Sequence, residues 1–575
     1  MKSLLSIRTM MKSPLNIIVV CALMYFIITF LIWPNITMLL QVFRPDGEWT
    51  LDVFDKLLSS ERAMKSLRNS FLLAISLAIT VNVIGIFIVL ATRFFDIKGS
   101  NILYVGFATT LIYGGVILVS GYNLIYGPNG FLTNVMLKVF PGMDANWFRG
   151  MPAVVLLMTF SGTGSHLLFM GNSISKIDQQ TIEAAKQMGA STWKILMTVV
   201  LPVIKPMIFA TTVLVFLGGL SAMTAPLILG GDDFQTISSM ILTFSRTKGS
   251  QDLAATLAMI LGVATLLVLT VLNKVERGGT YFSVSKVPVS LEKQKIENPV
   301  VNAVVHVTAW SLWVVYIIPP ILIVLFSFTN ASAIAQGTIS FSDLTLSNYV
   351  QIFTSKEAIN PFVVSIVYSA ICSFIVVFAL LFVARIIQRY RNVATALLEY
   401  LLHIPWVLPG TLIALGLLIT FSEPQPLIAG KVLSGTVYIL AIGYIVEKIP
   451  FTFRILKASF SGVPANVEEA ASILGASDLR IFRKILFPLV IPVATAIAAL
   501  NFNSLLGNYD TAIFLAHPFH QPLGIFIYNA TSTDTMNDTT VLTFVYSVLL
   551  MIISSVVLYL VYGRSSKSVT KNKTI

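Results

Sequence analysis

A stretch of twenty residues occurs twice in this chain. Glu183–Pro202 reads EAAKQMGASTWKILMTVVLP, and Glu469–Pro488 reads EAASILGASDLRIFRKILFP. In both copies the glycine follows the glutamate by six residues and the proline follows the glycine by thirteen. The copies are offset by 286 residues in a chain of 575. A repeat at about half the chain length indicates that one structural unit is present twice.

The composition is that of a membrane protein. Hydrophobic residues make up 56% of the chain, charged residues only 11%, and mean hydropathy is +0.84, whereas soluble domains are about 25% charged. A helix needs about 20 apolar residues to cross a bilayer, and the chain has roughly twelve such runs. We therefore expect an all-α polytopic membrane protein and exclude a soluble domain or a single-pass anchor. The predicted spans are residues 15–40, 69–92, 101–126, 152–171, 201–230, 251–273, 302–328, 361–384, 394–420, 432–453, 486–515 and 540–562.

The distribution of positive charge predicts the topology. The first apolar run follows Lys2, Arg8 and Lys12 and is too long for the core of a signal peptide, so it reads as an uncleaved first span. Lys and Arg collect in cytoplasmic loops, so the net charge of +12 indicates orientation rather than nucleic-acid binding. We expect a bacterial inner-membrane protein with both termini in the cytoplasm.

The spans divide into two parallel halves. Six spans separate the two copies of the repeat, and because six is even both copies face the cytoplasm. The predicted halves are residues 1–275 and 302–575, joined by a polar cytoplasmic linker at 276–301. The longest external loops, 41–68 and 329–360, are too short for a solute-binding domain, so either a separate chain or the channel itself would capture the solute.

Each repeat predicts a pair of short helices. Glu183 and Glu469 stand in a first helical turn, where the helix dipole favours a carboxylate. Gly189 and Gly475, each followed by Ala-Ser, predict either a bend or a surface that another backbone approaches closely. We expect an L-shaped element parallel to the membrane at its cytoplasmic face, over residues 178–200 and 464–486. The simpler alternative is an interfacial loop anchored by basic residues.

The two copies resemble the EAA loop of permease subunits in binding-protein-dependent ABC importers. That resemblance implies the type I importer permease fold, with each loop docking on one ATPase subunit. The implied coupling residues are Glu183, Ala184, Ala185 and Gly189 in the first half and Glu469, Ala470, Ala471 and Gly475 in the second. The implied partners are two copies of an ABC ATPase, which would hold ATP and Mg²⁺, a periplasmic or lipid-anchored solute-binding protein, and membrane lipid.

Flanking residues resemble one branch of that family. His403–Gly416, HIPWVLPGTLIALG, and Pro450–Arg454, PFTFR, are similar to fused double permeases for ferric iron, with thiamine, polyamine and phosphonate permeases nearby. The first half departs from both patterns, at Leu111–Val116 and at Gly164–Leu168. The resemblance implies ferric iron as the first solute to consider, with phosphonate, thiamine and polyamine as alternatives.

The chain has no phosphate-binding loop of its own. The nearest string to that motif, Ala429–Val432, lacks both its first glycine and its hydroxyl residue. We therefore predict a transport subunit without enzymatic activity, without catalytic residues and without a cofactor. Because its two loops offer two docking points, we expect one copy of the chain in each transporter.

Polar side chains at membrane depth are costly and are therefore candidates for the transport pathway. The candidates are Asn501, Asn503, Asn508, Asp510, Thr224, Ser221 and Glu447. The 286-residue offset places Asp510 opposite Thr224. The alternative is that the asparagines form hydrogen bonds between helices and that Glu447 pairs with Lys448.

Two other features leave rival functions open. His517 and His520 are a weak metal signal, because two histidines with neutral neighbours are too few for a convincing site, and we predict no metal. Asp510 and Glu447 could serve an ion-driven secondary transporter, although that function leaves the matched loops unexplained. A non-transporting membrane scaffold is the third alternative.

Overall fold

The computed structural model describes residue 10 and residues 13–44, 47–174, 177–276, 291–390, 392–531 and 538–560. These residues fold into helices joined by short turns, and the described part of the chain contains isolated β-bridges but no strand. The all-helical fold predicted from composition is confirmed. Most of the predicted linker and the basic residues at both chain ends lie outside the described residues.

The first half comprises fourteen α-helices among the described residues. They are α1 Pro14–Ile27, α2 Trp33–Phe43, α3 Asp52–Ser59, α4 Glu61–Val89, α5 Ser100–Ala108, α6 Gly115–Tyr126, α7 Phe131–Val139, α8 Gly150–Ile174, α9 Gln179–Gln187, α10 Thr192–Ile195, α11 Leu201–Leu220, α12 Thr224–Leu229, α13 Ile237–Arg246 and α14 Gln251–Glu276.

The second half continues the numbering. Its helices are α15 Pro299–Ser327, α16 Ala331–Gln336, α17 Ser347–Thr354, α18 Lys356–Arg389, α19 Val393–Val407, α20 Gly410–Thr420, α21 Val437–Ser461, α22 Ala465–Ile473, α23 Asp478–Ile481, α24 Phe487–Leu506, α25 Ala512–Leu515, α26 Leu523–Thr531 and α27 Asp538–Leu558. Short π-helical segments at Ile28–Ile32, Leu90–Phe94, Leu196–Val200 and Phe482–Leu486 join consecutive helices or end one, and 3₁₀ turns occur at Thr109–Leu111, Phe341–Asp343 and Pro426–Ile428.

Nine helices in the described residues are long and apolar enough to cross a membrane, and two bent pairs raise that number to eleven. They expose large apolar side chains on one face. On α4, for example, Ile75, Ile79 and Val83 recur every four residues and are 51%, 61% and 64% exposed. A soluble protein rarely exposes such a stripe, so we assign this face of α4 to lipid.

Two of the predicted spans are broken rather than straight. The span expected at 101–126 bends by 108° between Leu111 and Gly115, and the one at 394–420 bends by 100° before Gly410. Gly115, the first residue of α6, has φ +58°, a left-handed conformation that glycine adopts without strain. The second bend precedes Pro409, which has no N–H for a helical hydrogen bond.

The tenth predicted span is helix α21, of 25 residues. It is not among the nine apolar helices, because Glu447, Lys448, Arg454 and Lys457 lie along it. The count of twelve spans therefore stays a prediction.

The internal repeat extends to the secondary structure. Helices α9, α10 and α11 become α22, α23 and α24 when 286 is added to every boundary, and the intervening π-helical turns shift by the same amount. Helix caps also recur: Ser60 Oγ accepts from Ala63 N before α4, and Ser355 Oγ accepts from Ala358 N before α18. The two halves are thus two copies of one helical unit.

The first span of each half packs against the other half. From the second half, Tyr316 on α15 contacts Thr163 through their hydroxyls at 2.8 Å, and Trp313 Nε1 donates to Ile102 O at 3.0 Å. From the first half, Trp33 Nε1 donates to Gln425 Oε1 at 2.9 Å. This exchange makes each half incomplete without the other.

The described end of the linker continues this interlocking. Gln294 pairs with the end of span two, where Asp96 N donates to its carbonyl at 2.9 Å and its own N–H donates to Phe94 O at 2.8 Å. Thr192, at the start of α10, donates its hydroxyl to Lys295 O at 3.0 Å. The described end of the linker therefore contacts both the end of span two and the first copy of the repeated motif before α15 begins.

The exchange of first spans makes one glycine critical. A Cβ added at Gly106 would lie 2.0 Å from Trp313 Nε1, so we expect Gly106→Ala to push α15 away from the first half. Overpacking of this kind costs about 1–3 kcal/mol, and we expect a lower thermal unfolding midpoint in detergent. Gly218→Ala is the matched control, since nothing lies within 4 Å of the added Cβ. Equal midpoints for the two variants would contradict the exchanged packing.

Candidate functional site

Each repeat folds into what we call an elbow, a short helix, a turn and the beginning of the next span (residues 179–200 and 465–486). Asp178 caps the first short helix, because its side chain accepts from Gln180 N at 3.1 Å. The second short helix follows Pro464, whose backbone is extended and whose side chain makes no capping hydrogen bond. Both short helices are nine residues long.

A glycine in the same conformation ends both short helices. Gly189 and Gly475 each have φ +79°, and a Cβ at either would meet nothing within 4 Å. In the first elbow Ala190 N donates to Ala185 O at 3.0 Å, closing the turn typical of a helix C-terminus, and the second elbow repeats it. The bend, one of the two predicted roles, is therefore present in both elbows, and the approach of another backbone to these glycines stays a prediction.

The predicted coupling residues divide between an exposed and a buried face. The exposed ones are Glu183, Ala184, Glu469 and Ala470. Ala471 is buried and Ala185 is half-buried, so the last alanine of each triplet packs against the protein. Glu183 Oε1 accepts from Gln179 Nε2 at 3.2 Å, one turn earlier on the same helix.

The second arm of the predicted L is not a separate helix. Thr192–Leu220 runs as one helix of 29 residues, and Phe482–Leu506 is likewise continuous. The prolines at 202 and 488 do not begin a new span, but lie inside these continuous helices directly after the π-helical turns Leu196–Val200 and Phe482–Leu486. A displacement of an elbow would therefore move the span that follows it, because the two form one continuous helix.

Each elbow presents an exposed apolar tip that the sequence reasoning missed. Met188 is 82% exposed and Leu474 is 86% exposed, and they lie 286 residues apart. Both end the short helix immediately before its glycine. The signal was present in the repeat as an apolar residue immediately before the glycine in both copies. In the second elbow the neighbouring Ile473 is also 85% exposed, so the tip is a small apolar patch, and we treat both tips as a candidate contact surface.

The elbows differ in how they join the preceding spans. In the second half Arg385 Nη1 donates to Glu468 Oε1 at 2.8 Å, and Nη2 pairs with the other carboxylate oxygen. The 286-residue offset places Ile182 at the position of Glu468, and Ile182 belongs to a buried apolar cluster. One joint is therefore a bidentate ion pair and the other is apolar packing.

A polar cavity lies at the centre of the molecule, between the two halves. Its volume is about 320 Å³. The first half contributes the bend of span three and the start of α12, and the second half contributes the end of α24 and the turn that follows. Its polar lining residues include Thr110, Thr224, Asn503, Ser504, Asn508, Asp510 and Ser554.

The halves meet in this cavity through equivalent residues. Thr224 Oγ1 donates to Asp510 Oδ1 at 2.5 Å, and the two residues are 286 positions apart. When equivalent residues of two repeats touch each other, the pseudo-twofold axis that relates the repeats passes between them. The cavity therefore lies on that axis.

Glu447 lies beside the cavity within a hydrogen-bonded group. Its Oε1 accepts from Lys448 Nζ at 2.7 Å, and its Oε2 accepts from Thr511 Oγ1 at 2.8 Å and Asn508 Nδ2 at 3.3 Å. Lys448 also donates to Ser504 Oγ at 2.8 Å. The pairing that was predicted as the structural alternative for Glu447 is thus present, and it braces α21 against the end of α24.

The remaining pathway candidates separate into two groups. Asn503 lines the cavity, and its Oδ1 accepts from Ser554 Oγ at 2.5 Å. Asn501 is buried outside the described cavity lining and donates to Thr452 Oγ1 at 2.7 Å, which is the interhelical role predicted as the alternative. Ser221 donates to Leu217 O at 2.8 Å within its own chain segment and is also absent from that lining.

The two external histidines contact each other. His520 is exposed and His517 is half-buried, and their Nδ1 atoms lie 3.3 Å apart. Across the described residues, no group of three or more His, Cys, Asp or Glu side chains is placed to hold a metal ion.

The sequence matches one family twice. Residues 57–275 and again residues 310–571 match the "Binding-protein-dependent transport system inner membrane component". The chain belongs to that family. It is a multi-span inner-membrane permease subunit of an ABC importer, in which two family units are fused, and the resemblance drawn from the repeated motif is confirmed.

The permease is similar to named transport proteins over most of its length. It is 34% identical over 548 residues to the "Probable ABC transporter permease protein y4fN" of Sinorhizobium fredii, covering 94% of this chain and 96% of that protein. It is 21% identical over 497 residues to the "Ferric transport system permease protein FbpB" of Actinobacillus pleuropneumoniae, covering 84% and 69%. It is 30% identical over 183 residues to the "Sulfate transport system permease protein CysT" of Salmonella typhimurium, covering 30% and 65%.

The ion pair beside the permease cavity gives a test of this geometry. Lys448→Met would leave the Glu447 carboxylate without its cation, and breaking such a pair costs up to about 3–5 kcal/mol. We expect the thermal unfolding midpoint to fall in Lys448→Met and to recover in the double variant Glu447→Gln, Lys448→Met, where no unpaired charge remains. If the double variant unfolds as early as the single one, the pairing has been misassigned.

Proposed function

We propose that this permease is the membrane-spanning subunit of an ATP-driven importer and that each elbow docks on one ATPase subunit. The observation that supports this most is the match between the elbows. They share helix bounds at one offset, the same glycine conformation and an exposed apolar tip. Two equivalent surfaces suit two copies of one partner, because a symmetric dimer presents each of its surfaces twice.

ATP would enter the cycle through those partners. The permease sequence has no Gly-x-x-x-x-Gly-Lys-[Ser/Thr] loop. Closure of an ATPase dimer would move the two elbows relative to each other. Because each elbow continues into the following span without a break, this motion would reach α11 and α24 and, at their ends, the central cavity.

The cavity would be the midpoint of the transport pathway. It lies on the pseudo-twofold axis, and the start of α12, the end of α24 and the bend after α5 all meet there. Breaks of this kind in spanning helices supply both hinges and polar backbone groups at membrane depth. Rocking of the halves about the Thr224–Asp510 contact would open the cavity to each side in turn.

The solute would be delivered by an external binding protein and released into the cytoplasm. The family description names binding-protein-dependent transport, and the positive-inside rule orients the elbows and both termini toward the cytoplasm. We propose ferric iron as the first solute to assay, because a relative that aligns with 84% of this chain is named as a ferric permease. Thiamine, polyamine and phosphonate follow as alternatives from the sequence resemblance.

The elbow tips provide the test of ATPase docking. We expect Met188→Asp combined with Leu474→Asp to abolish co-purification of the ATPase, because losing a central apolar anchor costs about 2 kcal/mol, or about 30-fold in Kd, at each elbow. Tagged permease expressed with its ATPase and binding protein is purified, and bound ATPase and solute-stimulated ATP hydrolysis are measured.

Phe341→Asp is the control for adding charge to an exposed apolar site. Phe341 is 95% exposed and follows α15, so it lies at the end of that span opposite the linker and the elbows. We expect this variant to keep its ATPase. Unchanged docking in the double tip variant would contradict the proposal, as would solute uptake that follows an ion gradient with no ATPase present.

A further inference from the structure

The central cavity contains an unbalanced negative charge. Among the described residues that line it, Asp510 is the one charged side chain, and the lining includes no lysine, arginine or histidine. The other polar groups are neutral hydroxyls and amides. Any charged solute that enters the cavity therefore meets a carboxylate and no opposing cation.

Asp510 differs in this respect from its neighbour Glu447. The carboxylate of Glu447 accepts from Lys448 and from two further donors. Asp510 accepts from the neutral Thr224 hydroxyl, and the described residues place no ion-pair partner within 4 Å of it. A carboxylate at membrane depth is costly unless a positive charge offsets it. The arrangement is incomplete until a cation joins it.

The neutral residues around Asp510 suit the same kind of ligand. Asn503 and Asn508 each have a side-chain carbonyl oxygen at the cavity, and such oxygens can accept a second hydrogen bond. A carboxylate with neutral oxygen acceptors around it can coordinate a hard metal cation or accept hydrogen bonds from an ammonium group. The volume of about 320 Å³ is enough for a small solute.

We propose that the cavity of this permease takes a cationic solute and that Asp510 supplies its counter-charge. The inference rests on the proposed role of the cavity as the transport pathway. It ranks ferric iron, thiamine and polyamines, which bear positive charge, ahead of phosphonate and sulfate. In each transport cycle the solute replaces the missing ion-pair partner of Asp510 and leaves when the cavity opens toward the cytoplasm.

A purely structural role for Asp510, as a clasp between the halves through Thr224, is the competing explanation. Two substitutions separate them. Asp510→Asn keeps an oxygen that can accept from Thr224 but removes the charge, whereas Thr224→Val removes the hydrogen bond but keeps the charge. Thr224→Val would abolish a structural clasp between the halves, whereas Asp510→Asn would abolish a counter-charge for the solute.

The charge of the cavity can be measured without knowing the solute. Thr110 lies in the cavity wall supplied by the first half, and Thr110→Cys provides a reporter thiol in the full-length permease in lipid nanodiscs. The thiol is modified with a cationic trimethylammonium methanethiosulfonate and, separately, with an anionic sulfonate methanethiosulfonate. Each modification rate is divided by the rate at which the same reagent modifies a free thiol in solution. The parent chain, with Cys21 and Cys372 alone, provides the background.

We expect the cationic reagent to react at least about tenfold faster than the anionic one, because a charged cleft concentrates ions of opposite sign. Asp510→Asn should remove this preference, and Thr224→Val should keep it. A ratio near one, a ratio unchanged in Asp510→Asn, or modification by neither reagent would overturn the inference. Since no ATPase is present, these results leave ATPase docking at the elbows untouched.

Uptake by cells identifies the cation. A strain lacking the gene is complemented with the wild-type or Asp510→Asn permease and given labelled Fe(III), thiamine, spermidine, sulfate or methylphosphonate, which has no ammonium group. Restored uptake of one of the first three, reduced about tenfold in Asp510→Asn, supports a cationic solute. ATP-dependent uptake of sulfate or phosphonate instead would overturn this inference while the proposed importer function still holds.

Discussion

The rest of this structure depends on one constraint, that backbone polar groups in a bilayer must find partners within the protein. Interrupted helices can exist at membrane depth only where other parts of the chain cover them. Here the break between α5 and α6 and the breaks after α11 and α24 converge on one polar cavity rather than on lipid. The first span of each half packs against the other half, and this exchange stabilises the contact between the halves around the cavity. Neither half can move away without losing a packed helix.

The two halves are equal where they would meet the ATPases and unequal elsewhere. The elbows agree in helix bounds, in glycine conformation and in the exposure of their tips. The joint behind them is ionic in one half, through Arg385 and Glu468, and apolar in the other. At the cavity the second half supplies the carboxylate and both asparagines.

Much of this arrangement could be predicted from the sequence because it depends on local pattern. The repeat predicted two elbows at one offset, and the same offset placed Asp510 opposite Thr224, which the structure brings into direct contact. The two bends were missed because glycine and proline permit a straight helix, a kink or a break, and only the neighbouring helices decide. The role of Glu447 was ambiguous for a similar reason, since its pairing with Lys448 depends on which faces of α21 and α24 meet.

The central claim is that a single permease chain provides the docking sites for both ATPase subunits. Native mass spectrometry of the complex purified with its ATPase measures this stoichiometry directly. The account predicts one permease chain of 62.9 kDa with two ATPase chains. A complex with two permease chains, or with one ATPase chain for each permease, would contradict it.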